Sequence, residues 1–132
     1  MGEGQAASVL VVDASTAERR AIRDMLGPLG RRIVGADSEH AALRAVSRQR
    51  LAAIVIDTRD PSLDGYETAR RIRERADTEL TPIVFLVTRG NDEIERARAY
   101  VGAPVDFVPT PVLAEVLRDT VSATAAVRGS LR

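Results

Sequence analysis

The stretch LAAIVIDTRDPSLDG, Leu51 to Gly65, decides how the rest of the chain is read. A run of apolar residues ends on Asp57, and the chain then enters a turn. Uninterrupted apolar character over a strand's length is the pattern of a β-strand covered on both faces of its sheet. Asp57 therefore stands where a buried strand stops. A carboxylate there is either a cap for the turn or a nucleophile presented at the edge of a sheet, and the surrounding chain has to decide between them.

Working outward, strand-like and helix-like segments alternate. Upstream lies SVLVVD, Ser8 to Asp13, a second apolar run ending on an acid. A helix follows in STAERRAIRDMLGPLG, where Ser15 and Glu18 have capping-box spacing and GPLG is the stop. Its Ala21, Ile22, Met25, Leu26 and Leu29 recur at helical intervals. RRIVGA is a weaker strand, expected near a sheet edge, and SEHAALRAVSRQR is a helix with Ala42, Leu43 and Val46 inward. Downstream of Asp57, Asp64 and Glu67 form a second capping box opening GYETARRIRERA. PIVFLV, NDEIERARAYV and VDFVP then read as strand, helix and strand. Pro111 opens a last helix, VLAEVLRDTVSATAAV, with Leu113, Val116, Leu117, Thr120 and Val121 expected on one face. Pro109 removes a donor from the last strand, whose end is expected to be irregular.

Alternating βα units of this length predict an α/β fold with a doubly wound, five-stranded parallel sheet and helices on both sides. The expected domain spans residues 8–127, between a flexible leader, 1–7, and a tail, 128–132. In such sheets chemistry gathers outside the carboxyl ends of the strands. Asp13, Asp57, Val87, Thr88 and Thr110 all fall at such ends and are expected to converge.

Composition narrows the function. The chain has 132 residues, 19 basic and 19 acidic, so its net charge is zero, which argues against a protein built mainly to grip nucleic acid. The basic run RRIRER, Arg70 to Arg75, is interrupted by Ile72 and Glu74 and reads as a solvated helix face. There is no cysteine, which excludes disulfides and thiolate metal sites and suits a reducing cytoplasm. The single His40 is expected on the surface. No apolar run approaches the about 20 residues that span a membrane, and MGEGQAAS lacks the pattern of a signal peptide.

VLVVD, IVID followed by DPSLDGYE, TPIVFLV and VDFVPTP together resemble the receiver domain of bacterial two-component response regulators, over nearly the whole chain. The segment TPIVFLVTRGNDEIERARAYVGAPVDFVPTP most resembles receivers of hybrid sensor kinases. The resemblance implies a flavodoxin-like fold and a cytoplasmic signalling protein, not an enzyme beyond its own phosphoacceptor chemistry. It implies that Asp57 stands at the phosphoacceptor position, charged from a phosphohistidine. Asp13 matches the first of two acids that hold magnesium with Asp57. Phe107 matches an aromatic that reorients on activation, and Pro111 a proline whose preceding bond is usually cis. The implied partners are a histidine kinase or another signalling protein, or a second copy through the face made by helix four, strand five and helix five.

The departures are as informative as the matches. The second acidic position is Ala14, the hydroxyl position is Val87 with Thr88 next to it, and the lysine position is Thr110. A carboxylate attacking a phosphoryl dianion meets repulsion that a divalent cation and a fixed ammonium normally offset. Losing one charge-assisted hydrogen bond costs roughly 1.5–3 kcal/mol. The resemblance thus implies a pseudo-receiver: a binding module with weak magnesium affinity and weak or no phosphorylation. Thr88 is a poor substitute hydroxyl, and Asp60 is a loop carboxylate that could partly rescue the metal. The alternative is a single-domain receiver phosphorylated on Asp57. Without a metal, Asp13 and Asp57 side by side are expected to raise one pKa by repulsion. Other chemistries on such a fold lack their residues: DAS follows the first strand where a haloacid-dehalogenase-type hydrolase needs two aspartates, no glycine-rich turn follows it for a dinucleotide, and aromatics are too few for flavin stacking.

Overall fold

The computed structural model describes residues 7–75, 78, 80–88, 91–102 and 104–130, with the backbone alone for 91–93 and 125–130. Five strands, β1 Ser8–Val12, β2 Ile33–Ala36, β3 Leu51–Asp57, β4 Ile83–Val87 and β5 Val105–Pro109, alternate with helices α1 Thr16–Leu26, α2 Glu39–Arg48, α3 Gly65–Arg73, α4 Asn91–Val101 and α5 Ala114–Ser130. The sheet is wholly parallel, in the order β2-β1-β3-β4-β5. This is the expected doubly wound α/β fold.

Strand character sorts by position. The three apolar runs are the three inner strands, β1, β3 and β4, and every residue in them is buried. The weaker β2 and β5 are the edges and are only partly buried. Alternation along the strands splits the core into two layers. Leu10, Val12, Ile54, Ile56, Phe85 and Val87 pack with Ala42, Val46, Ala69, Ile72 and Val101 from α2, α3 and α4. Val9, Val11, Val55 and Leu86 pack with Ile22, Leu26, Leu117 and Val121 from α1 and α5.

Three details differ from the sequence expectation. Leu113 and Val116 are 59% and 42% exposed, so the inward stripe of α5 is Leu117 and Val121. Packing against α1 selects which residues of a broadly apolar helix turn inward. Pro109 does not disturb the strand end: Thr110 N–H still donates to the Val87 carbonyl at 2.8 Å. Because β5 is an edge, every second N–H faces away from β4, and Pro109 takes such a position. Finally, α5 runs to Ser130, past the boundary expected at Val127.

The topology also places the site. From β1 the chain goes to β2 on one side, and β3 lies on the other, so the strand order reverses between β1 and β3. The crevice outside their carboxyl ends is the position such sheets use for ligands. Gly65 lets α3 approach this crevice: a Cβ there would lie 2.8 Å from Ile56 Cγ2 and 3.2 Å from Thr58 Cγ2.

Candidate functional site

Val12 pairs with Ile56, so the residues that follow, Asp13 and Asp57, meet at the reversal point. Both are buried, at 1% and 3% exposure. Asp13 Oδ1 accepts the Ser15 N–H at 3.0 Å, and its carbonyl accepts Arg19 Nη1 at 2.8 Å. Its Oδ2 is buried with no hydrogen-bond partner. Burial, then the hydrogen bond with Asp57, then repulsion from Asp57 and Glu18 push the Asp13 pKa up to about 7. One aspartate of the pair is thus raised, as expected, but desolvation outweighs like-charge repulsion as the cause. Protonated, Asp13 becomes a donor to Asp57.

Asp57 moves the other way. Burial alone would raise it, but hydrogen bonds from Arg59 and from Asp13 outweigh burial and hold it below the usual carboxylate range. The arginine grips it at three points. Arg59 Nε donates to Asp57 Oδ1 at 2.8 Å, Nη2 to Oδ2 at 2.9 Å, and the Arg59 backbone N–H to Oδ1 at 2.9 Å. Nη2 also donates to Glu18 Oε2 at 2.9 Å. The arrangement is a chain of charge: Glu18, Arg59, Asp57, with Asp13 behind.

No local sequence pattern marks Arg59 or this role of Glu18. Glu18 has the spacing of half a capping box. The first half is present, since Ser15 Oγ accepts the Glu18 N–H at 3.2 Å. The reciprocal half is absent: the Ser15 N–H goes to Asp13 and the Glu18 carboxylate to Arg59. Asp64 caps α3 the same way, accepting the Glu67 N–H at 3.0 Å, while the Glu67 carboxylate takes Arg70 and Arg71. Asp60, the expected rescue ligand, is held in its own turn, where Oδ1 accepts the Ser62 N–H at 2.9 Å and the Ser62 hydroxyl at 2.7 Å.

Among the described residues, the carboxylates able to share a cation are Asp13, Glu18 and Asp57, whose oxygens lie within 4.8 Å of one another. They are the hard oxygen donors that magnesium takes. As arranged they do not fit the ion: both Asp57 oxygens are engaged by a guanidinium, and position 14 supplies a methyl.

The other wall of the crevice holds the remaining predicted residues. Val87 is buried in the layer of Phe85 and Ile56, and Thr88, beyond the end of β4, is exposed. The Thr110 hydroxyl donates to the Val87 carbonyl at 3.0 Å. The Thr110–Pro111 peptide bond is cis. Phe107 is half-buried, stacked on Phe85 at 5.6 Å between ring centres, with the Arg98 guanidinium 5.1 Å above it. On the expected partner face, Arg118 instead reaches across to the Met25 carbonyl of α1 at 3.0 Å. The side chains of Asp92 and Glu93, the acids early in α4, lie outside the described residues.

Comparison with known proteins agrees with this fold. The family described as "Response regulator receiver domain" matches residues 9–122. The transcriptional regulatory protein AfsQ1 of Streptomyces coelicolor is 34% identical over 110 residues, covering 83% of this chain and 47% of its own length. The virulence sensor protein BvgS of Bordetella bronchiseptica is 34% identical over 124 residues, covering 89% of this chain and 10% of its own. The chain thus spans less than half the length of either relative. Among solved structures, chemotaxis protein CheY4 of Vibrio cholerae superposes with a TM-score of 0.80 at 27% identity, covering 89% of this chain and 98% of that one. No helix among the described residues is long and apolar enough to cross a membrane.

Proposed function

The chain belongs to the response regulator receiver domains, and from that premise we propose that it serves two-component signalling as a pseudo-receiver. It is a binding module whose output does not depend on loading Asp57 with a phosphoryl group. The observation that carries this reading is the wall opposite Asp57. Val87 is a buried hydrocarbon, and the Thr110 hydroxyl is spent on the Val87 carbonyl. Neither supplies the donor or the ammonium that would offset charge on an incoming phosphoryl group, the term that dominates such transfers.

In this reading Asp57 keeps the phosphoacceptor position and Asp13 the first acidic position, while magnesium binds weakly. Phe107 and Pro111 hold the family's switch-aromatic and cis-proline positions, and the exposed Thr88 is at most a weak substitute donor. The domain corresponds to residues 8–127, with the backbone of α5 continuing to Ser130. The partners are a histidine kinase or another signalling protein, met in the cytoplasm, with no nucleic acid and no membrane. The exposed Leu113 and Val116 support contact through the α4, β5 and α5 side, including a homodimer there.

Intact-mass measurement after incubation with acetyl phosphate and magnesium, beside an Asp57→Asn control, is the test. The expected spectrum has no phosphate adduct. An adduct that disappears in the control would replace this reading with that of a working receiver phosphorylated on Asp57.

A further inference from the structure

The pocket contains a cation of its own. We infer that Arg59 is the resident counter-ion of a latent three-carboxylate site, Asp13, Glu18 and Asp57, and that a divalent metal binds there only by displacing it. The inference rests on the pseudo-receiver reading and adds what excludes the metal.

Three observations converge. The guanidinium takes both oxygens of Asp57 in the bidentate geometry that arginine makes with carboxylates, and the same Nη2 reaches Glu18. It is only 21% exposed, so the pair is shielded from water and from screening by salt. Beside it, Asp13 Oδ2 is buried and unpartnered. That oxygen receives no donor from the guanidinium, and the Asp13 carboxyl meets Asp57 through a proton that a bound cation would replace. Two ion pairs with one arginine leave less negative charge in the pocket than three free carboxylates would. The carboxylate missing at Ala14 is then supplied from one turn into α1, by Glu18, once Arg59 swings out.

A metal has to break two charge-assisted contacts before it gains Asp57 as a ligand. Each such contact is worth about tenfold or more in affinity. Removing the guanidinium while keeping its apolar stem, in Arg59→Met, is therefore expected to tighten manganese binding at least tenfold over wild type, read by paramagnetic resonance of the free ion. Adding Glu18→Gln to that variant is expected to cancel most of the gain. Equal affinity in wild type and Arg59→Met would overturn the inference, as would a gain that ignores Glu18. A wild-type measurement guards against a variant that does not fold: the Arg59 Nε–H resonance is expected to hold its position as millimolar magnesium is added. Metal binding to the wild type, seen by the free-ion signal, that leaves this resonance in place would overturn the inference, because the metal would then enter without displacing Arg59.

The two readings fail separately. A phosphate adduct on wild-type Asp57 removes the pseudo-receiver reading. Metal affinity indifferent to Arg59 removes the resident cation and leaves that reading standing. Arg59→Met is expected to regain metal without regaining the adduct, because Val87 and Thr110 are unchanged.

Discussion

Two arginines sit at opposite ends of the sheet, and their partners differ in kind. Arg59, at the carboxyl ends of the strands, is paired with carboxylates. Arg73, at the end of α3, points to where β4 and β5 begin. Its Nη1 donates to the carbonyls of Thr78 and Thr81 at 2.7 and 2.6 Å, and its Nη2 to that of Pro104 at 2.7 Å. No acid answers Arg73 among these contacts, and burial pushes its pKa down to about 10. Carbonyl dipoles can hold a guanidinium in place without neutralising it, which suits a staple between backbone segments. Carboxylates neutralise it and are neutralised in return, which suits a pocket whose charge must be set. The run RRIRER is therefore not uniformly solvated: Arg70 and Arg71 pair with Glu67 on the surface, while Arg73 is drawn inward.

The sharpest way to break this comparison is to remove each guanidinium. Arg73→Met removes three hydrogen bonds, but the Thr78 and Pro104 carbonyls keep backbone donors from Thr81 and Ile83, so only the Thr81 carbonyl loses its donor and the expected cost is about 1–3 kcal/mol in urea unfolding. Arg59→Met is expected to cost less, because Asp57 can take up a proton once its partner is gone. A larger loss at Arg59 than at Arg73 would reverse the assignment of staple and counter-ion.

The approach of α3 to the pocket is the next largest effect. Gly65→Ala places a methyl 2.8 Å from Ile56 Cγ2, and overpacking of this kind typically costs about 1–3 kcal/mol. Thermal unfolding should show the loss, with the acidic pocket disturbed first.

The pair Asp13 and Asp57 gives a test by pH. Asp13 is raised from 3.8 to about 7 in the fold, so its contribution is full in acid and is lost as pH rises from the ordinary carboxylate range through about 7. Asp57 is lowered, so its contribution is present above that range and is lost as pH falls below it. Asp13→Asn, which keeps a donor toward Asp57 but cannot ionise, is expected to gain on wild type between pH 5 and pH 8 in melting temperature. A constant difference across that window would remove Asp13 as the titrating group. Smallest of all, Glu18→Gln is expected to change stability by less than about 1 kcal/mol, because the carboxylate is 49% exposed and such pairs contribute little. Its effect belongs to cation binding.

Much of this molecule is legible in one dimension. The strands were readable because continuous apolar runs have one good solution, burial on both faces, and the inner strands β1, β3 and β4 are those runs. Asp13 and Asp57 were readable because each ends such a run, and parallel register carries both ends to one crevice. The helix starts at Ser15 and Asp64 were readable because a cap is a contact over three residues. Leu113 and Val116 were misplaced because α5 is apolar around much of its girth, so periodicity alone cannot choose its inner face.

What the sequence by itself determined is the order of elements, the parallel sheet, and the acids at its switch point, since these follow from local pattern and strand period. What only the tertiary structure decided is the state of those acids. Glu18 and Arg59 lie 41 residues apart and meet because the β1–β3 register brings the start of α1 beside the loop after β3. A carboxylate with capping-box spacing will leave the cap for a guanidinium held in reach, because a pair of opposite charges is stronger than a bond from a neutral N–H, and here the Ser15 N–H already has Asp13. Local spacing records what a side chain can do, and the fold's long-range register decides which partner it finds.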